Sequence, residues 1–371
     1  MLDFTSALYL GLNHAHAELR PWTQLTLGKP AALAPPPESE AIADQLAHLI
    51  GCERATLGTS TLHLFWDLFG QLSRERIVIY VDAGTYPIAR WGVERALTRG
   101  AFVRSFNHHD VSALQNALLR DRTSGHTPII VTDGFCPGCG HHAPLSAYLD
   151  NVRAYGGRLI IDDTQALGIY GRSARGTPYG RGGGGSLQWH ALEDENVIVI
   201  SSLAKGFGVP IAVLAGSDVA IDRFNRYSET RVHCSPPSVA LVRAAEHALI
   251  INAAHGDLWR DQLADNVRYF HTRLAEQSLS AQGGLFPVQT LRLKPAYSAI
   301  DVHERLRACG IETVLHRNRG GNGPRLSFIF TARHRRSEID RAVERLQPVS
   351  HQLPQSINRE EVHANAYRSR I

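Results

Sequence analysis

The sequence predicts an α/β fold: a large domain with a mostly parallel sheet between helices, followed by a smaller α+β C-terminal domain. Three observations carry this. Five short runs are rich in Ile and Val and show no polar alternation, as expected of strands buried on both faces of a sheet. The stretches between them repeat apolar residues at helical spacing and stop near Gly or Ser. Beyond about position 240 this alternation gives way to long helical stretches and short strands.

In chain order, the first segment closes with a Pro-rich connector, "GKPAALAPPPES" (28–39). "RIVIYVD" (76–82) is the first buried run, followed by helical "YPIARWGVERALTRG" (86–100) and "VSALQNALLRDRT" (111–123). "PIIVTD" (128–133) is the next, and "APLSAYLDNVRAYGG" (143–157) is a helix with a Gly pair as its stop. "RLIIDD" (158–163), "NVIVIS" (196–201) and "IAVLAGS" (211–217) complete the set. Strand and helix in alternation imply right-handed crossovers. "RGGGGS" (181–186) lacks the G-x-x-x-x-G-K-[ST] pattern of a phosphate loop and reads as a flexible insertion. Two helices follow, 237–254 and 257–277, then strands "PVQTLRLK" and "RLSFIFT" with a helix between them. The expected domains are an N-terminal segment with connector (1–40), a large domain (41–245), a small C-terminal domain (246–353) and a polar tail (354–371).

Composition bounds the function. The chain is 43% hydrophobic and 20% charged, with a net charge of +4 and no long basic run, so no nucleic-acid partner is expected. No apolar run approaches the roughly 18 residues of a membrane span. The start, "MLDFTSALYLGL", carries Asp3 and lacks the basic opening of a signal peptide, which points to the cytoplasm.

"DGFCPGCGHHAPL" (133–145) resembles half a zinc site or a redox pair. A four-ligand zinc site usually adds a second C-x-x-C or a spaced His pair, and neither is present. His141 and His142 are adjacent, so their side chains diverge on an extended backbone. No metal is therefore expected, and the stretch reads as a loop holding two reduced thiols, Cys136 and Cys139.

In an open parallel sheet, ligands bind beyond the carboxyl ends of the strands. Asp82, Asp133, Asp162 and Asp163 end such runs, and "SSLAKGFG" follows another. Its lysine, Lys205, is one of three in the chain, the others being Lys29 and Lys294; nearly all other positive charge is Arg. Lysine can lose its proton and form a Schiff base, which arginine cannot. Pyridoxal 5'-phosphate (PLP) needs a lysine for its aldehyde and a carboxylate for its ring nitrogen. Asp162, ending one buried strand, and Lys205, following the next, supply that pair.

"LIIDDTQALGIYGRSARG" followed by "VISSLAKGFG" resembles the α-oxoamine synthases, the 8-amino-7-oxononanoate synthase-like group of fold-type-I PLP enzymes. The resemblance extends over nearly the whole chain. "LYLGLNHAHAEL" is similar to the family's "DYLGL…HP.L", "LGTSTLHLFW" to its "SG.AAN" stretch, and "VTDGFCPGCGHHAPL" to its "VTEGVFSMDGDIAPL". The close, "GIETVLHR…GPRLSFIFTARH", is similar to "GI.V…ARLRI.L.A.H".

The resemblance implies that Lys205 carries the cofactor and moves protons at the substrate α-carbon, and that Asp162 pairs with the ring nitrogen. Gln165 stands at the position of a His that contacts the ring oxygen. Ser60, Thr61 and Ser202 fall where the phosphate is held. Tyr86 replaces the stacking His of the family's "HAS" and offers a π face in its stead. Asp133 corresponds to an active-site Glu, and Arg325 to the arginine that forks onto the substrate carboxylate. The cysteine loop becomes a rewritten wall of the site, with His141 and Cys139 as candidates to face the substrate. Pro137, Ala7-Leu8 and Pro210-Ile211 replace the family's Ser, Asn-Asp and Gly-Gly.

The implied activity is a PLP-dependent transferase acting at the α-carbon of an amino acid. The first reading is carbon–carbon bond formation with an acyl thioester. The alternatives are transamination, racemisation or condensation with another electrophile, which the aromatic Tyr86 favours, and a non-catalytic partner protein, which Lys205 argues against. The resemblance also implies a homodimer.

Overall fold

The computed structural model describes residues 1–293, 298–317 and 323–346; Lys294 and the tail expected at 354–371 lie outside them. Its centre is a seven-stranded sheet of β1 (Arg54–Gly58), β2 (Ile77–Asp82), β3 (Phe102–Phe106), β4 (Thr127–Asp133), β5 (Arg158–Asp162), β6 (Val197–Ser202) and β7 (Ala212–Gly216). The spatial order is β1-β7-β6-β5-β4-β2-β3. β7 runs antiparallel to both neighbours, and the other pairs are parallel. The five Ile/Val runs expected as strands are strands within a residue at each end.

Side chains alternate across this sheet, so each strand feeds two cores. Ile77, Ile79 and Val81 pack in one cluster with Leu64, Phe65 and Phe69 of α1 (Thr61–Leu72) and Ala89 and Val93 of α2 (Pro87–Thr98). Val78 and Tyr80 face the other way, into a cluster with Leu114 and Leu118 of α3 (Val111–Asp121) and Tyr148 and Leu149 of α4 (Leu145–Arg153). Each such side chain stabilises the fold by roughly 1.5–3 kcal/mol through burial. Helices on both faces explain why the strands lack polar alternation.

Two expectations are corrected. The helices expected at 237–254 and 257–277 are one, α5 (Val239–Glu276). It passes through Gly256 unbroken, because the bare backbone there lets Arg260 lie back along the helix. A Cβ on Gly256 would stand 2.4 Å from Asn252 Oδ1 and 2.8 Å from Arg260 Nη2. The glycine run "RGGGGS" is not a flexible insertion: Gly183, Gly184 and Gly185 are buried. A Cβ on Gly184 would meet the Leu49 carbonyl oxygen at 2.1 Å, and one on Gly183 would meet Arg260 Nη1 at 2.5 Å. Arg260 is 1% exposed, and its Nη1 donates to the Gly168 carbonyl (2.8 Å) and to Asn252 Oδ1 (2.9 Å). Gly183 is small so that this buried guanidinium fits, and Gly184 so that the Leu49 carbonyl can approach.

Toward the C-terminus, β8 (Ala281–Gln282), β9 (Val288–Leu291), β10 (Val314–Arg317) and β11 (Pro324–Ile329) form an antiparallel sheet in the order β8-β9-β11-β10. α6 (Ala299–Ala308) and α7 (Arg336–Glu344) accompany it. Among the described residues, no helix is long and apolar enough to cross a membrane.

Candidate active site

Asp82, Asp133 and Asp162 are the last residues of β2, β4 and β5, and Lys205 lies in the turn directly after β6. The parallel register sets Asp133 opposite Asp162. One edge of the sheet thus carries three acids and a lysine, as expected where ligands bind an open α/β sheet. Above it is a cavity of about 670 Å³, within the range of small-molecule sites.

Of the residues expected from the sequence, Lys205, Asp162, Gln165, Tyr86, Asp133, Thr61 and Arg325 line this cavity. Ser60 and Ser202 are not in its lining. Ser60 is the N-cap of α1, its Oγ 2.8 Å from His63 Nδ1. Ser202 Oγ accepts from the Ala204 N–H. Tyr86 begins α2, and its N–H donates to Asp133 Oδ1 at 2.9 Å. Gln165 Oε1 accepts from the buried hydroxyl of Tyr9 at 2.8 Å.

Burial sets the electrostatics of the floor. It pushes the Asp162 carboxyl up; hydrogen bonds from Thr164 and the nearby Lys205 charge pull the other way. It pushes Lys205 down, opposed by the charges of Asp162 and Asp133. Both groups are thereby moved toward their neutral forms, which is the state a lysine needs to act as a nucleophile. Asp163 faces away from the cavity. It is fully buried and accepts from the Ser186 N–H (2.8 Å), and burial raises it to about 7.

The wall is made by the cysteine loop and the C-terminal sheet. Phe135–Cys136 and His141–His142 pair as a two-residue antiparallel ladder, and Cys136, Pro137, Gly138 and Cys139 at its turn line the cavity. His141 points outward, whereas His142 stacks on Trp189 (centroids 5.1 Å, 7°) beside Tyr170 and Phe135. Cys139, not His141, is the candidate that reaches the cavity. Gln282 Nε2 ties the loop to β8 by donating to the Gly138 carbonyl at 2.8 Å. Thr290, His316 and Arg325 bring the C-terminal sheet to the cavity; His316 Nε2 lies 2.8 Å from Ser327 Oγ.

His108 also lines the cavity, and sequence reasoning passed over it. It follows β3, a largely exposed edge strand that lacks the Ile/Val signature of the others. Its Nδ1 donates to Asp82 Oδ1 at 2.6 Å, a bond that raises His108 to about 10. The buried Asp82 nevertheless stays below the usual carboxylate range, because His108 and the N–H groups of His109 and Gly84 all donate to it. Hydrogen bonds from Cys139 and His108 hold the Cys136 thiol low, and its proximity pushes Cys139 up.

A half-buried lysine just after one parallel strand and a buried aspartate ending its neighbour, open to one cavity with an aromatic on its wall, define a PLP-dependent transferase. The residues fit that cofactor: the lysine is depressed toward its neutral form, the carboxylate is at the floor, and Thr61 brings the N-terminus of α1 to the same space. The chain belongs to the aminotransferase class I and II family, whose model matches residues 2–346. It is 25% identical over 364 residues to an 8-amino-7-oxononanoate synthase of Hydrogenovibrio crunogenus, covering 96% of this chain and 89% of that one. A Yersinia pestis protein of the same description is 26% identical over 361 residues, covering 94% and 89%. Among solved structures, 8-amino-7-oxononanoate synthase from Francisella tularensis superposes with a TM-score of 0.71 at 19% identity over 93% of this chain and 96% of that one. Serine palmitoyltransferase from Sphingomonas wittichii does so with a TM-score of 0.77 at 16% identity, covering 92% and 85%.

Proposed function

We propose that the protein joins the α-carbon of an amino acid to an acyl group delivered as a thioester. The observation that carries this reading is the meeting of Lys205 and Asp162 with Arg325 around one cavity. When bound there, PLP supplies an electron sink for negative charge on the substrate α-carbon. As a carboxylate, Asp162 would hold a proton on the ring nitrogen; burial opposes that charge, and the hydrogen bonds from Thr164 and the Lys205 charge favour it. Lys205 would hold the cofactor aldehyde, and its depressed pKa suits it to accept and return the proton at the substrate α-carbon. Thr61, at the N-terminus of α1, would hold the phosphate end; Ser60 and Ser202 lie outside the cavity lining. Tyr86, held by Asp133 at its backbone, would cover the ring, and Gln165, braced by Tyr9, would contact its oxygen. Arg325 forks onto the substrate carboxylate. The cysteine loop and β8 close the wall and limit access of water.

The test is release of free thiol from acyl-thioester substrates, screened across amino acids. Thiol release that requires both substrates and disappears in Lys205→Ala supports the reading. Formation of a 2-oxo acid with no thioester present supports transamination instead, the reading that the aromatic Tyr86 favours.

The same proposal includes a two-domain division near 245, a cytoplasmic location and a homodimer. A surface pocket of about 610 Å³ lined by Leu62, Trp66 and Trp91 supports the dimer. Trp66 is 43% and Trp91 46% exposed, an apolar patch of the kind that subunit contacts cover. Sedimentation equilibrium at twice the chain mass is the expected result.

A further inference from the structure

His108 and His109 stand against the turn of the cysteine loop. His108 Nε2 lies 3.4 Å from Cys139 Sγ. One ligand atom from each of His108, His109 and Cys139 falls within 4.8 Å of the others. The geometry points to a zinc site at the wall of the cavity, formed by His108, His109 and Cys139, with the fourth position of the tetrahedron open to the cavity.

Four features support it. First, the edge length fits. Tetrahedral zinc with Zn–N of about 2.0 Å and Zn–S of about 2.3 Å separates its nitrogen and sulfur ligands by roughly 3.5 Å. Second, adjacent side chains on extended backbone point apart, but here they converge. His109 is a non-glycine residue at φ 59°, in the left-handed region. That turn brings the two imidazole centroids to 3.7 Å. Such backbone costs of order 1–3 kcal/mol and persists only where the surroundings enforce it.

Third, one carboxylate enforces it. Asp82 accepts from His108 Nδ1 (2.6 Å) and from the His109 N–H (2.9 Å), and Tyr148 donates to it as well (3.2 Å). A carboxylate on one imidazole nitrogen, with the other directed at the metal, is the usual outer support of a zinc-bound histidine. Gly84 makes room for it: a Cβ there would stand 2.2 Å from His108 Nδ1. Fourth, His109 Nε2 is buried without a hydrogen-bond partner. An unsatisfied buried nitrogen costs about 1–3 kcal/mol, which coordination would relieve.

The ligand set selects the ion. Thiolate with imidazole suits zinc, whereas magnesium and calcium prefer oxygen. Cys136, on the same hairpin, lines the same cavity. Binding releases the Cys139 thiol proton and the His108 Nε2 proton to solvent, while the Nδ1–H stays bonded to Asp82; Zn²⁺, the Cys139 thiolate and the Asp82 carboxylate together are neutral.

The experiment uses the full-length, PLP-loaded protein, incubated with zinc chloride and desalted. Metal content is then measured by plasma emission, and affinity by competition with a chromogenic chelator. No substrate is involved, so the outcome is independent of the transferase reading. The expected result is about one zinc per chain. His109→Asn keeps a residue that tolerates positive φ, and Cys139→Ser keeps the side-chain size. Each is expected to weaken zinc at least tenfold with unchanged circular dichroism. Cys309→Ser, far from the loop, is expected to bind as wild type. A wild-type chain that retains no zinc overturns the inference. So does zinc held equally tightly by His109→Asn and Cys139→Ser, which would mark it as adventitious.

Discussion

Replacing Asp162 by Asn removes one charge from the floor of the cavity and little else. The side chain is 6% exposed, and its Oδ1 accepts from the Thr164 N–H at 3.1 Å, a bond an amide oxygen keeps. Breaking a buried pair by removing one partner costs about 3–5 kcal/mol. At 1.36 kcal/mol per decade that is roughly two to four orders of magnitude in turnover. Stability should move the other way. Burial raises the folded-state pKa of Asp162 above its unfolded value, so the native chain binds more protons and loses stability as pH rises through that interval. At neutral pH the carboxylate is therefore a cost to the cofactor-free protein. Asp162→Asn should melt no lower than wild type without PLP while its thioester-dependent thiol release falls at least a hundredfold. Turnover within threefold of wild type would refute the role given to Asp162. A clear loss of cofactor-free stability would refute the account of its burial.

Other perturbations test other parts. His142→Phe should raise the melting temperature, because both ring nitrogens of His142 are buried without partners against Trp189. Burial lowers His142 to about 3, so wild type should also lose stability as pH falls from about 6.5 toward 3, a slope the Phe variant should lack. Tyr9→Phe removes the donor to Gln165 and should cost about 0.5–1.5 kcal/mol in denaturant titration, with a weaker hold on PLP. Gly184→Ala drives a methyl to 2.1 Å from the Leu49 carbonyl and should destabilise by at least about 1–3 kcal/mol; a neutral result would restore the flexible reading of the glycine run.

The parallel sheet was legible because strands under helices on both faces need continuous Ile and Val, and "RIVIYVD" or "NVIVIS" has no other natural reading. β3 was not: it is an edge strand whose exposed Arg104 and Ser105 break the pattern. With it went His108 and His109, which follow that strand. The cysteine loop was accordingly judged against its own neighbours, His141 and His142, when the histidines that approach it come from elsewhere in the chain. Asp162 and Lys205 were legible because the one ends a readable strand, the other follows the next, and each residue type is costly at that place. Arg325 came through resemblance alone, yet it lines the cavity from the second sheet. Gln282, Thr290 and His316 carried no local signal, since only the docking of β8–β11 turns them inward. The glycine run misled because composition cannot distinguish a linker from a backbone thinned to admit Arg260 at Gly183 and the Leu49 carbonyl at Gly184.

The account stands on Lys205 as the cofactor's anchor. Borohydride treatment of the PLP-loaded protein, followed by peptide mass spectrometry, reads this directly. A phosphopyridoxyl mass increment on the peptide containing Lys205, absent from Lys205→Ala, is the predicted result. No increment on any peptide, or one on the exposed Lys29 instead, would contradict it.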